Sequence, residues 1–260
     1  MTKIFFLPMF MLLVSFAGCS KDDADEPQQP TPVASTCQLT EALSYQNNKL
    51  ARSRVFEYDA STKNLAKQIH TIYNTSGVVT AVLTYAYSYP TASSVVISGT
   101  DKYGFVSKST ISLNDKKLAT HIRLESNESG TTWEQESFEY NGEQLVKSKV
   151  TKSNGLETEF GYEWSNGNMI RKFLFSDNST QVEWEYYTDQ DRRKMDAIAL
   201  SDLASYRWET IRNKNQVKGI KGSRTYTYTY DGNDETNKMA DLLFSNNLTT
   251  DWTFKYVNCQ

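Results

Sequence analysis

The chain has 260 residues, with 28 Lys and Arg against 31 Asp and Glu, a formal net charge of −3 and 38% hydrophobic residues. So balanced a charge lacks the basic field that nucleic-acid binding needs, and so low an apolar content excludes a multi-span helical membrane protein. Aromatic residues make up 13%, including 16 Tyr, 12 Phe and 5 Trp, a mixture that favours strands and tight turns.

Residues 1–18 read as a signal peptide. Lys3 supplies the positive start and Ile4 to Phe16 an apolar stretch too short for a permanent membrane span. The stretch closes with Phe16-Ala17-Gly18-Cys19. This resembles the lipobox of bacterial lipoproteins, with Phe16 where most carry Leu, and implies diacylglycerol on Cys19 after cleavage before it. The other reading is a plain secretory peptide with an incidental Cys. The acidic run from Ser20 to Glu26 resembles the export tag of Bacteroidota surface lipoproteins, or is a solvated spacer. Pro27, Pro30 and Pro32 stiffen the next segment, so 19–36 reads as a lipidated, acidic and Pro-rich tether. The implied address is the outer membrane at the cell surface, or alternatively its periplasmic face.

Cys37 and Cys259 then stand at the two ends of the remaining domain, 37–260. An even remainder in an oxidising compartment makes them candidates for a disulfide, the alternative being two separate thiols.

Within that domain a unit of about 25 residues recurs. Phe56-Glu57-Tyr58-Asp59, Phe138-Glu139-Tyr140-Asn141-Gly142, Phe160-Gly161-Tyr162-Glu163-Trp164 and Tyr226-Thr227-Tyr228-Thr229-Tyr230-Asp231-Gly232 alternate rings with Glu, Gly or Thr. Such a period predicts strands with one buried and one wetted face. Asn-Gly and Asp-Gly pairs suit two-residue hairpins, and Asn74–Gly77, Asn127–Gly130 and Ser153–Gly155 mark longer turns. The expected fold is all-β, an up-and-down antiparallel meander of about 16 strands. A sheet that long closes, splits or curls to hide its edges; a closed barrel is expected, with a strongly curved open sheet as the alternative. The repeats resemble Bacteroidota envelope lipoproteins of unknown function with a porin-like β-fold. More distantly, units such as Phe56-Glu57-Tyr58-Asp59 resemble the YD repeats of Rhs-type shell proteins.

Glu57, Glu139, Glu163 and Glu185 recur in register. Two of them could serve acid–base chemistry if brought together, but they read better as an exposed strand face with Lys partners. Lys67, Lys147 and Lys149 fall in phase with apolar anchors on the second strands, which argues against an apolar outer belt. His70 and His121 are expected on the polar face without metal-ligand spacing around them. No Walker loop, nucleophile elbow, HExxH or dinucleotide glycine pattern occurs. Neither catalysis, a metal nor a cofactor is therefore expected. Tyr85, Tyr87, Tyr89 and Tyr103, around an irregular loop at Pro90, are the candidate exposed aromatics for binding a ligand. The segment Asp191–Ser205 breaks the hairpin rhythm and suggests a helix or plug. The expected role is a non-catalytic, lipid-anchored binding or assembly component of the envelope. The alternative is a surface glycan-binding accessory of a nutrient-uptake system, so the expected partners are the membrane and either a glycan or an envelope protein, without nucleic acid.

Overall fold

The computed structural model describes residues 37–191, 211–230 and 235–258. The signal peptide, the tether, Cys19, Cys259, Asp231-Gly232 and all of the 191–205 insertion except Asp191 lie outside the described residues.

The first eight strands are β1 (Gln38–Gln46), β2 (Lys49–Tyr58), β3 (Leu65–Tyr73), β4 (Val79–Thr91), β5 (Ser94–Asp101), β6 (Gly104–Leu113), β7 (Ala119–Glu125) and β8 (Trp133–Asn141). The remainder are β9 (Gln144–Lys152), β10 (Glu157–Ser165), β11 (Asn168–Leu174), β12 (Thr180–Asp191), β13 (Asn215–Ile220), β14 (Arg224–Tyr230), β15 (Thr236–Leu243) and β16 (Leu248–Val257). Each pairs antiparallel with its sequence neighbours, and β16 pairs with β1, so the meander closes into a barrel. Closure removes the sheet edges that an open array would expose. The seam runs from Gln38 opposite Val257 to Gln46 opposite Thr250, with one β-bulge at Thr40. Asn258 adds a side-chain hydrogen bond from Nδ2 to Gln38 Oε1 at 2.8 Å.

The up-and-down order gives the barrel two distinct ends. Turns from odd to even strands (47–48, 74–78, 102–103, 126–132, 153–156, 175–179, 221–223 and 244–247) form the distal end. Cys37, Asn258 and the even-to-odd turns form the terminal end. Asn47-Asn48 and Asn166-Gly167 hold positive φ at both turn residues, the twist that a two-residue hairpin needs.

Most rings lie on the inner face of the strands, while Trp133 and Phe173 stand on the outer face beside Arg123 and Arg171. Phe254 and Ala42 pair across the seam, and Phe138 and Phe160 both pair with Ser148. Phe254, Ala42, Phe138 and Ser148 are buried and Phe160 is half-buried. One apolar cluster lines β13 round to β2, including Val217, Met239, Trp252 and Phe56. A second, including Tyr85, Ile97, Ile111, Ile122 and Leu145, lines β4 to β9.

A β-bulge recurs where odd strands leave a terminal-end turn. The pairing skips Ala66, Thr120, Val146, Ile170 and Asn237. One extra residue reverses which face the following side chains occupy. Leu65 and Leu145 therefore pair with inward Tyr58 and Tyr140, while Lys67 and Lys147 pair with outward Glu57 and Glu139. The lysines are thus not in phase with the apolar anchors, contrary to the sequence expectation, because the bulge lies between them.

Candidate functional site

Three environments could carry function: the interior, the outer wall and a groove at the distal end.

Inside, rings supply most of the bulk and their polar tips find backbone partners. Tyr58 donates its hydroxyl to the Leu39 carbonyl (2.9 Å), Tyr89 to Leu65 (2.9 Å), Tyr140 to Ala119 (2.7 Å) and Tyr256 to Thr236 (2.9 Å). Trp164 Nε1 donates to the Leu145 carbonyl at 2.7 Å, and the Tyr186 hydroxyl donates to Met169. In each case an aromatic late on an even strand reaches the opening residues of the odd strand before it. These hydrogen bonds ring the terminal end and satisfy groups that burial would otherwise leave costly. Burial pushes the Tyr58 hydroxyl pKa up to about 12, with Tyr89 adding to it and the hydrogen bond to Leu39 opposing it.

Polar groups share this interior. Arg54 is 1% exposed, with its guanidinium 5.4 Å from the Trp252 ring centre. His70 lies directly across the β2–β3 ladder from Arg54 and is also buried. Burial first, then the Arg54 and Arg52 charges, push the imidazole pKa down to about 4. This corrects the expectation of a wetted position for His70. It lies inward because the bulge at Ala66 reverses the parity counted from Leu65. His121 pairs with Ser112 and Ser137, on the outward face. Arg54 was overlooked, although its alternation with Phe56 and Tyr58 could have placed it inside.

The outer wall carries ion pairs between neighbouring strands. Lys67 meets Glu57 at 3.1 Å, Lys147 meets Glu159 at 3.0 Å, Lys149 meets Glu157 at 2.8 Å and Arg171 meets Glu163 at 2.7 Å. Lys255 of β16 pairs with Glu41 of β1 across the seam. Glu57, Glu139, Glu163 and Glu185 are exposed and stand on separate even strands. Among the described residues, no cluster of three His, Cys, Asp or Glu side chains is arranged to hold a metal ion.

The four aromatics singled out in the sequence separate. Tyr85 is 2% exposed, opposite Gly99, and belongs to the second core cluster; Tyr87 and Tyr89 pack against that cluster. The Tyr87 hydroxyl donates to Gln68 Oε1 at 3.1 Å. Tyr85 is thus buried and Tyr87 and Tyr89 are half-buried, in place of the exposure expected of them. The segment around Pro90 is the end of strand β4 rather than an irregular loop. Proline has no N–H to donate, and Pro90 falls where pairing with β5 lapses between Ser88 and Thr91.

Tyr103 alone of the four is open, at 84% exposure on the β5–β6 turn. Its amide donates to Asp101 Oδ1 at 2.7 Å, and the Lys102 ammonium stands 4.7 Å from its ring centre. The ring flanks a groove of about 450 Å³ lined with Val79, Val82, Thr84, Thr100 and Asp101. Apolar residues, hydroxyls, a carboxylate and an exposed ring thus meet in one concavity. The groove's valines carried a sequence signal that was missed: Val82 falls in the outward phase of a strand whose inward phase is already aromatic.

No family model matches the chain, and no curated protein matches it. Among solved structures, a porin-like protein from Bacteroides uniformis is similar at 15% identity with a TM-score of 0.58, covering 84% of this chain and 97% of that one. A porin-like protein from Bacteroides vulgatus is similar at 9% identity with a TM-score of 0.29, covering 85% and 98%. The first likeness shows a shared barrel fold.

Proposed function

We propose that the protein is a lipid-anchored barrel of the bacterial envelope with a non-catalytic binding or assembly role. The observation that carries this reading is the cross-strand ionic ladder on the outer wall. A barrel that crosses a bilayer presents an apolar band, and mid-strand Lys or Arg on that face costs about 2–4 kcal/mol each at the membrane centre. A wall of this kind belongs in water, so a membrane address falls to the acyl chains on Cys19. Residues 19–36 then act as the tether, with the outer membrane as the site and the cell surface as the exposed side. Labelled palmitate should enter the wild-type protein and not Cys19→Ala; equal labelling of both would remove the anchor.

A second reading, glycan capture for a nutrient-uptake system, is favoured by the groove at Tyr103. Exposed rings stack on sugar faces, and nearby hydroxyls and carboxylates hydrogen-bond their edges. A glycan array should give a signal that Tyr103→Ala loses, whereas silence of the wild type across the array would dismiss this reading.

A further inference from the structure

Among the described residues, the large exposed apolar side chains of the turns are unevenly divided between the two ends of the barrel. At the distal end, Val78 is 59% exposed, Leu156 55%, Phe175 56% and Phe244 45%. Each stands in a different turn, and a fifth turn carries Tyr103 of the groove. The described turns of the terminal end (59–64, 92–93, 114–118, 142–143 and 166–167) contain no large exposed apolar side chain, although Val257 at the close of β16 is 44% exposed there. Isolated apolar residues on a surface are ordinary. A set spread over four turns of one rim is not, although the wall also exposes Val55, Val82, Val146 and Leu242, and the Phe175 ring stands 4.9 Å from the Lys147 ammonium.

We propose that this distal rim docks on a lipid surface, with Val78, Leu156, Phe175 and Phe244 entering the interfacial layer. The spacing of the side chains favours that occupant. Sixteen strands set about 4.8 Å apart and tilted as in other barrels make a ring roughly 30 Å across. The apolar tips are spread round it, separated by the polar turns 47–48, 126–132 and 221–223. A protein partner would need a separate pocket for each, whereas a bilayer is flat on this scale and accepts apolar groups anywhere on its plane. The eight distal turns contain Lys102 and Lys221 against Glu128 and Asp177, a balance that gives no preference for anionic headgroups. The contact therefore depends on apolar insertion and is indifferent to salt.

The test uses residues 20–260 without an acyl group, so its outcome is independent of lipidation. The barrel is self-contained through the β1–β16 seam. Co-sedimentation with phosphatidylcholine vesicles should capture this protein equally in low and high salt. Phe175→Ser combined with Phe244→Ser should weaken capture about tenfold or more, given the transfer energy of two phenyl groups. Val257→Ser, at the terminal end, should leave capture unchanged. All three proteins should share one circular dichroism spectrum and melting profile, and Tyr103 is untouched so that the groove is not perturbed. A wild-type protein that stays in the supernatant, or variants captured as well as wild type, would overturn the proposal. Self-association in light scattering that the double variant abolishes, without vesicle capture, would overturn it in favour of a second copy of this chain.

Discussion

His70 shows how much a single inward side chain can matter. Its imidazole is buried opposite Arg54, and its folded pKa of about 4 lies below the ordinary 6.5. The unfolded chain therefore binds the proton more readily between those values. The contribution to stability is whole above pH 6.5, falls as pH drops toward 4, and is constant below that. A shift of this size corresponds to about 3 kcal/mol across the window. Urea midpoints at pH 7.5 and pH 4.5 should differ more for the wild type than for His70→Gln. Equal pH dependence in the two proteins would show that His70 titrates as it does in water. The neighbouring Arg54 is held in the same interior, beside Trp252, so the core of this barrel is aromatic without being wholly apolar.

At the scale of strands, packing of rings against the opposite ladder sets the sequence requirements. Gly99 pairs with Tyr85, and a Cβ there would lie 2.6 Å from the Tyr85 ring and 2.9 Å from Ser107 Oγ. Tyr85 is buried and cannot swing into water. Gly99→Val should therefore cost about 2–4 kcal/mol by overpacking, with Gly99→Ala milder; thermal unfolding of the two variants measures the difference. Unchanged melting of Gly99→Val would mean that the β4–β5 ladder has slack that its pairing does not suggest. The alternation of rings with polar residues made the strands, their number and the buried face legible from sequence alone. The bulges at Ala66, Thr120, Val146, Ile170 and Asn237 were not legible, because an inserted residue leaves composition and turn signals unaltered while reversing parity beyond it. That one effect explains the misplacement of His70 and Lys67. The aromatics near Pro90 were misjudged for a different reason: proline signals a break, but at the end of β4 it occupies a position where no ladder hydrogen bond is required. Of the groove, Tyr103 was legible as an exposed ring and Val82 was signalled by its outward phase, whereas Thr100 joins them only through pairing of β4 with β5.

For the whole molecule, the decisive feature is closure between elements far apart in sequence. Cys37 is buried, disulfide-bonded and adjacent to the β1–β16 seam. We propose Cys259 as its partner, since Gln38 lies opposite Val257. A crosslink enclosing so long a loop contributes about 5 kcal/mol in the chain-entropy model. Cys259→Ser, or reduction, should lower the melting temperature without altering the β signature of the circular dichroism spectrum. A melting temperature insensitive to both would place the closure energy in the ladder alone.

Rings facing the interior while the ionic wall stands in water is the arrangement on which the proposed role depends. Cysteine substitution with a membrane-impermeant maleimide tests it directly, using the lipidated protein in opened membrane fragments. Thr227→Cys and Ser137→Cys, on the exposed outer face, should label rapidly without detergent. Ser109→Cys and Ser148→Cys, at 3% and 1% exposure in the wild type, should label only on unfolding. Outer-face positions that remain protected until detergent strips the lipid would place the wall within the bilayer and contradict that arrangement.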